Sequence, residues 1–124
     1  MGTRCNNTRT LLGRLSTGWT RNNKAFVEGV GFIARLGPSK RDMYYNLFAS
    51  QLMFRQGGDE WNTWNQQLQE LLVKTQATAG HAKGSWPTTD SFSRYGGRLY
   101  ETNLSILCLT VYYRHLAIFG EPRK

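Results

Sequence analysis

Cysteine, acidic side chains and long apolar runs are all scarce in this chain of 124 residues. Two cysteines, Cys5 and Cys108, are too few for a disulfide framework, so packed side chains must hold the fold together. No run of about 18 uncharged apolar residues is present, which argues against a membrane-spanning helix. The first residues are polar and basic, which argues against a secretory signal and leads us to expect a cytoplasmic protein.

The shortage of acid is concentrated in one part of the chain. Residues 1–41 hold eight basic residues and the single acid Glu28, a net charge of +7, whereas residues 42–124 carry only +1. A basic segment attracts nucleic acid or an acidic membrane surface. No aromatic or glycine pattern of a nucleic-acid-binding module accompanies the arginines, so a solvated basic face is the favoured interpretation.

What the chain does contain is a series of stretches with helical spacing of apolar residues, separated by glycine and proline. This spacing predicts five helices, over about 6–17, 24–36, 41–56, 59–75 and 98–119. Asn22 or Asn23 is placed to cap the second helix, and Asp42 falls in the first turn of the third. The loop 77–96 is twenty residues long, so we expect it to pack by its own side chains.

The width of the apolar face differs from helix to helix. The third and fifth helices are apolar on several sides and the fourth on one stripe, so we expect inner helices to alternate with outer ones. This alternation predicts an all-α protein built from helical hairpins that cover one another. A single domain is expected over 1–124, with 1–20 as a weakly ordered basic N-terminal segment because Arg9, Gly13 and Arg14 interrupt the first helix.

A tryptophan-anchored loop follows the fourth helix. Gln76 ends the helix, a glycine-rich stretch follows, and Gly84 and Trp86 mark the return. With Gly57-Gly58 and Gly96-Gly97-Arg98-Leu99-Tyr100, this arrangement resembles the repeat of the squalene-cyclase and protein-prenyltransferase family over about residues 7–118. The resemblance implies a partial α/α toroid, in which the Gln76 amide satisfies backbone groups at a helix end and Trp86 stacks nearby.

The chemistry of that family is missing from the sequence. The cyclases use an Asp-rich acid motif and the prenyltransferases hold zinc with Asp, Cys and His, and neither constellation is present. The pair Asp59-Glu60 is better explained by the positive end of a helix dipole. His81 and His115 lack ligand-like spacing to any cysteine or acid. We therefore expect no catalytic residue, no metal site and no cofactor.

Six aromatic residues leave two interpretations open. They line a pocket for an apolar isoprenoid-like ligand, because aromatic faces stabilise cations, or they pack one hairpin against another. Packing is favoured, because the chain supplies about two and a half hairpins and a closed toroid needs more. The six residues are Tyr44, Tyr45, Trp61, Trp64, Tyr100 and Tyr112.

These observations favour a non-catalytic repeat module that serves binding or assembly, with a protein partner or self-association through uncovered hairpin faces. The alternative, which rests on the resemblance, is a fragment or remnant of a terpenoid-cyclase-like enzyme that binds an apolar isoprenoid ligand. A basic nucleic-acid-binding domain ranks third, because the charge excess is confined to residues 1–41.

Overall fold

The regular structure of the described residues is entirely α-helical, which confirms the predicted fold class. The structure is a computed structural model that describes residues 2–89 and 91–114, except for the side chains of residues 2–6, 91–92 and 114. Six helices follow in order: α1 Gly2–Ser16, α2 Lys24–Leu36, α3 Met43–Gln56, α4 Gly58–Thr75, α5 Ser91–Leu109 and α6 Val111–Arg114.

The ends of α2 and α3 are set by short polar side chains. The Asn23 side chain accepts hydrogen bonds from the backbone N–H groups of Ala25 and Phe26, at 3.0 and 3.3 Å, so α2 begins where the sequence predicted. Asp42 corrects the sequence prediction. It lies outside α3 as the N-cap, and its carboxylate accepts from the backbone N–H of Tyr45 at 2.8 Å. A short side chain just before a helix satisfies one of the orphan donors there.

A single residue, Gly57, joins α3 to α4. Its φ of 74° and ψ of −163° lie in a region that only glycine adopts without strain. Its backbone N–H donates to the carbonyl of Met53 at 2.9 Å, which closes α3 before the chain turns back. The two helices therefore form a tight hairpin.

The region between α4 and α5 differs from the prediction. Helix α5 begins at Ser91, so the predicted loop 77–96 is wrong over its last six residues. The buried Ser93 hydroxyl accepts from the backbone N–H of Thr89 at 3.0 Å, and this bond anchors an early helical segment. Gly97, with a φ of 71° and ψ of −168°, is non-helical and divides α5 into two helical segments, the second of which begins at Arg98, where the sequence predicted the last helix to start.

The last predicted helix, 98–119, is also divided. Helix α5 ends at Leu109, a turn follows at Thr110, and α6 covers four residues. The backbone N–H and the hydroxyl of Thr110 both donate to the carbonyl of Ile106 at 3.0 Å, and the backbone N–H of Tyr113 then donates to the carbonyl of Thr110, three residues back. The predicted end of this helix lies outside the described residues.

Helix α3 lies at the centre and contacts α1, α2, α4, α5 and α6. Two pairs show that α1 and α3 run in the same direction. The Arg9 guanidinium lies 5.7 Å from the centre of the Phe48 ring, and further along both helices Arg55 donates to the Ser16 hydroxyl at 3.1 Å.

Helices α3 and α5 also run in the same direction. Thr89, just before α5, donates to the carbonyl of Arg41 at the start of α3. At the other end, Tyr112 packs edge-on against Phe54 with ring centres 6.0 Å apart. The chain therefore forms helical hairpins in which α1, α3 and α5 are parallel neighbours.

Two apolar clusters share α3. The first joins α3 to α1, α2 and α4 around Phe26, Ile33 and Trp64, and the second joins α3 to α4, α5 and α6 around Leu72, Leu104 and other side chains. The predicted burial of the third helix is confirmed by its nine buried residues. Helix α5 is buried along one side only, which departs from the expectation of a helix covered on several sides.

Candidate functional site

The loop after α4 closes on itself through hydrogen bonds that the Gln76 side chain shares. Its Nε2 donates to the carbonyl of Gly84 at 2.9 Å. The backbone N–H of Ala77 donates to the carbonyl of Ser85, and that of Gly84 donates back to Ala77. The loop is therefore a compact unit that holds its own polar backbone groups, and the Gln76 bond is of the type expected from the sequence.

Trp86 fastens this loop to two helices. The indole is 5% exposed, and its Nε1 donates to the carbonyl of Leu72 in the last turn of α4 at 2.9 Å. The backbone N–H of Trp86 donates to the Thr102 hydroxyl of α5 at 3.1 Å. One residue thus links α4 to α5, as expected from the sequence. Whether Gln76, Gly84 and Trp86 are a family repeat motif stays a prediction.

The six aromatic residues do not gather in one place. Tyr45 and Trp64 are buried between α3 and α4, with ring centres 6.0 Å apart, and Trp64 Nε1 donates to the Ser50 hydroxyl at 2.9 Å. Tyr44 is 37% exposed elsewhere on α3 and contacts Phe48 edge-on.

The other three aromatics lie in and beside the second cluster. Trp61 contacts Phe54 edge-on at 5.2 Å, and Tyr112 packs on the same phenylalanine while remaining 48% exposed. Tyr100 is half-buried against that cluster. Apart from Tyr44, which contacts Phe48 on its own helix, these rings pack between helices, as the packing interpretation expects. A role in ligand binding stays a prediction.

Among the described residues, no group of three or more His, Cys, Asp or Glu side chains is placed to hold a metal ion. Asp59 and Glu60 are exposed in the first turn of α4, where the helix dipole favours them. His81 is exposed in the loop, and the buried thiol of Cys108 lies 4.0 Å from the sulfur of Met43. These positions supply neither a nucleophile next to a base nor an acid pair.

Two buried polar side chains went unnoticed in the sequence. Asn46 is fully buried, and both ends of its amide bond the backbone of Ser39 at 2.8 Å. Glu101 is 1% exposed and accepts from the Thr89 hydroxyl at 3.1 Å. Each side chain ties down the segment before its own helix. The available signal was a polar residue on an otherwise apolar face of a predicted inner helix.

An uncovered apolar stripe lies on α5 and α6. Leu99, Ile106 and Tyr113 recur every seven residues and are 73%, 46% and 75% exposed; we call them the α5 open face. Tyr95, before the bend at Gly97, is also exposed. Large apolar side chains this exposed are ordinary when scattered, but a row of them along α5, continued on α6, indicates an interaction surface.

Helix α1, which lies on the other side of α3 from α5, has a polar surface. Among the described side chains of α1, residues 7–16, no large apolar residue is exposed, and Leu11, Leu12 and Leu15 are half-buried. The exposed Arg14 guanidinium lies 4.6 Å from the centre of the Trp19 ring. The described surface of α1 is therefore polar, whereas its neighbour α2 exposes Val27 and Phe32 at 48% and 44%, and α5 exposes Leu99 at 73%.

Comparisons with protein families, with curated proteins and with solved structures find no match for this chain. Within the part of the chain that the structure describes, no helix is both long and apolar enough to cross a bilayer.

Proposed function

We propose that the chain is a non-catalytic helical-repeat module, of α/α-toroid type, that functions by association through the α5 open face. The observation that carries this proposal is the contrast between the two ends of the helical layer. The α1 end is polar and basic, whereas the α5 end presents Leu99, Ile106 and Tyr113 to solvent. In stacked helical repeats an uncovered apolar face is the surface on which the next unit packs.

The partner that fits best is a second copy of the chain. A two-fold arrangement places the same face of both copies in contact, so both stripes are covered at once and the assembly closes. The charge distribution supports the same geometry. Residues 42–124 are nearly neutral at +1 and do not repel their copies, whereas association through the part that carries +7 opposes like charges.

Sedimentation velocity over a range of micromolar concentrations tests the proposal. We expect the intact chain to form a concentration-dependent dimer, and the double variant Leu99→Glu/Ile106→Glu to remain a monomer with an unchanged circular dichroism spectrum. Val73→Glu is the matched control, because Val73 is 71% exposed on α4, away from the stripe. A wild-type monomer at high micromolar concentration, or a Val73→Glu variant that loses the dimer equally, would overturn the proposal.

The alternative, a remnant of a terpenoid-cyclase-like enzyme with an apolar isoprenoid ligand, stays a prediction. The hollow between α2 and α4 has a volume of about 270 Å³ and is lined by Trp64 together with Asp59 and Glu60. Its acidic rim does not favour an apolar ligand. Binding of an isoprenoid alcohol to the monomeric Leu99→Glu/Ile106→Glu variant would favour this alternative over association.

A further inference from the structure

A basic hollow lies beside the ends of α1 and α3. It is formed where α1 ends, the chain turns toward α2, and α3 reaches its last residues, and it has a volume of about 420 Å³. Its lining consists of two arginines, two hydroxyl side chains and two apolar side chains: Arg21, Arg55, Ser16, Thr20, Leu15 and Trp19. Thus two guanidinium groups 34 positions apart in the sequence are brought to one cavity by the fold.

The two guanidinium groups in this hollow are close enough to influence each other electrostatically. The pKa of the Arg55 guanidinium is lowered from its usual value, first by burial and second by the positive charge of Arg21. A solvated basic face keeps its charges apart and in water, where repulsion is weak. Here the fold holds them together beside Leu15 and Trp19, and an anion between them would reverse the repulsion.

The hollow is held in shape by hydrogen bonds. Arg55 donates to the Ser16 hydroxyl at 3.1 Å, which fixes the direction of its guanidinium group. The backbone N–H of Trp19 donates to the carbonyl of Arg14 at 2.9 Å, and that of Asn23 donates to Thr20 at 3.1 Å. A preorganised set of donors binds an anion without a large ordering cost.

The other two hollows described in the structure differ in charge. The one between α2 and α4 is lined by Asp59 and Glu60, and the one between α1 and α2 has no charged lining residue. Of these three hollows, only the one at Arg21 and Arg55 has an excess of positive charge among its described lining residues.

We propose that the hollow lined by Arg21, Arg55, Ser16 and Thr20 is a binding site for a phosphate or diphosphate group of a small molecule. Guanidinium groups match the oxygens of phosphate in pairs, and the Thr20 hydroxyl adds a neutral donor. The Ser16 hydroxyl donates to the carbonyl of Leu12 and holds Arg55 in place. The volume exceeds that of a phosphate group alone, and Leu15 and Trp19 offer an apolar surface for an attached organic group. This site is independent of the association surface on α5.

Isothermal titration calorimetry of the intact chain with inorganic pyrophosphate tests the site, at constant ionic strength. We expect saturable binding of one pyrophosphate per chain, weakened at least tenfold in Arg21→Gln and in Arg55→Gln. The control is Arg35→Gln, an exposed arginine at the far end of α2 from the hollow, which should bind as the wild type does. No saturable binding, or an equal loss in Arg35→Gln, would overturn the proposal.

Thermal unfolding gives a second readout that separates binding from folding defects. Removing one of two repelling charges should leave the unfolding midpoint of Arg21→Gln no lower than that of the wild type without ligand. Pyrophosphate should raise the unfolding midpoint of the wild type, because a ligand that binds only the folded state stabilises that state by mass action. It should not raise the unfolding midpoint of Arg21→Gln, because this variant binds pyrophosphate weakly. A variant stabilised as much as the wild type would contradict the site.

Two further ligands distinguish the source of the phosphate. Tighter binding of phenyl phosphate than of inorganic phosphate assigns the site to an organic phosphate, because the ring adds contacts with Leu15 and Trp19. Equal binding assigns it to the free anion, and both results support a phosphate site. Binding of a short single-stranded oligonucleotide without any binding of pyrophosphate would overturn the proposal in favour of a nucleic-acid surface.

Discussion

Helices α3 and α5 look alike in the sequence and lie in different environments. Both are rich in apolar residues, and both were expected to be inner helices. Helix α3 has parallel neighbours on both sides, α1 and α5, and antiparallel α4 packs against it as well, so nine of its residues are buried. Helix α5 has α3 on one side, while Leu99 and Ile106 are exposed on another. Burial of an apolar helix is therefore a property of its neighbours as much as of its own sequence.

The largest effect should come from removing the residue that fastens α5 to α4. Trp86→Ala loses a buried indole and its bond to the carbonyl of Leu72, so we expect the free energy of unfolding to fall by about 3–5 kcal/mol. Trp86→Phe keeps most of the ring and should lose only about 1–2 kcal/mol. Urea unfolding of the monomer measures both, and a loss below about 1 kcal/mol in Trp86→Ala would show that this link is unimportant.

A direct comparison uses one leucine from each helix. Leu52 on α3 is fully buried, and Leu52→Ala should cost about 2–5 kcal/mol. Leu99 on α5 is 73% exposed, and Leu99→Ala should change the stability of the monomer by less than about 0.5 kcal/mol. Unfolding at low protein concentration keeps association out of the measurement. Equal losses would mean that the monomer covers α5 as completely as it covers α3.

The same contrast can be drawn with glycines of equal conformation. Gly57 and Gly97 have φ values of 74° and 71° and ψ values of −163° and −168°. Gly57→Ala should cost about 1–3 kcal/mol, because packed helices on both sides prevent the chain from relaxing. We expect a smaller loss for Gly97→Ala, since the partly uncovered α5 has room to straighten. A larger loss of stability at Gly97 than at Gly57 would show that the bend in α5 is held as firmly as the connection between α3 and α4.

The last comparison uses two buried serines, one on α3 and one on α5. Ser50 on α3 accepts from the indole of Trp64, so Ser50→Ala leaves a buried donor unpaired and should cost about 1–2 kcal/mol. Ser105 on α5 donates to the carbonyl of Glu101 in its own helix at 2.9 Å. Ser105→Ala should be close to neutral, because alanine favours the helix and that carbonyl keeps its backbone role. Parallel urea titrations measure the free energy of unfolding of both variants. Equal losses in the two variants would refute this distinction.

Local signals in the sequence located the elements with short-range causes. Helix α2 is an example, because it begins after the N-cap Asn23 and ends before Gly37. Both boundaries depend on residues only a few positions away. The bond from Gln76 to the loop and the burial of Trp86 were expected for a similar reason, since a helix end and a long loop both need partners for their backbone groups. Gly97 does interrupt the helix, as Gly96-Gly97 indicated, but the short helical segment that begins at Ser91 was missed.

The sequence by itself determined that the chain is helical, where most of the helices lie, and that the excess positive charge belongs to residues 1–41. These properties follow from the periodicity of side chains and from composition, both of which act locally. Only the tertiary structure decided that α3 is covered on more sides than α5, and that Arg21 and Arg55 face one hollow. Both properties depend on which segments, distant in the sequence, contact each other in the folded protein. The packing of the whole chain sets those contacts.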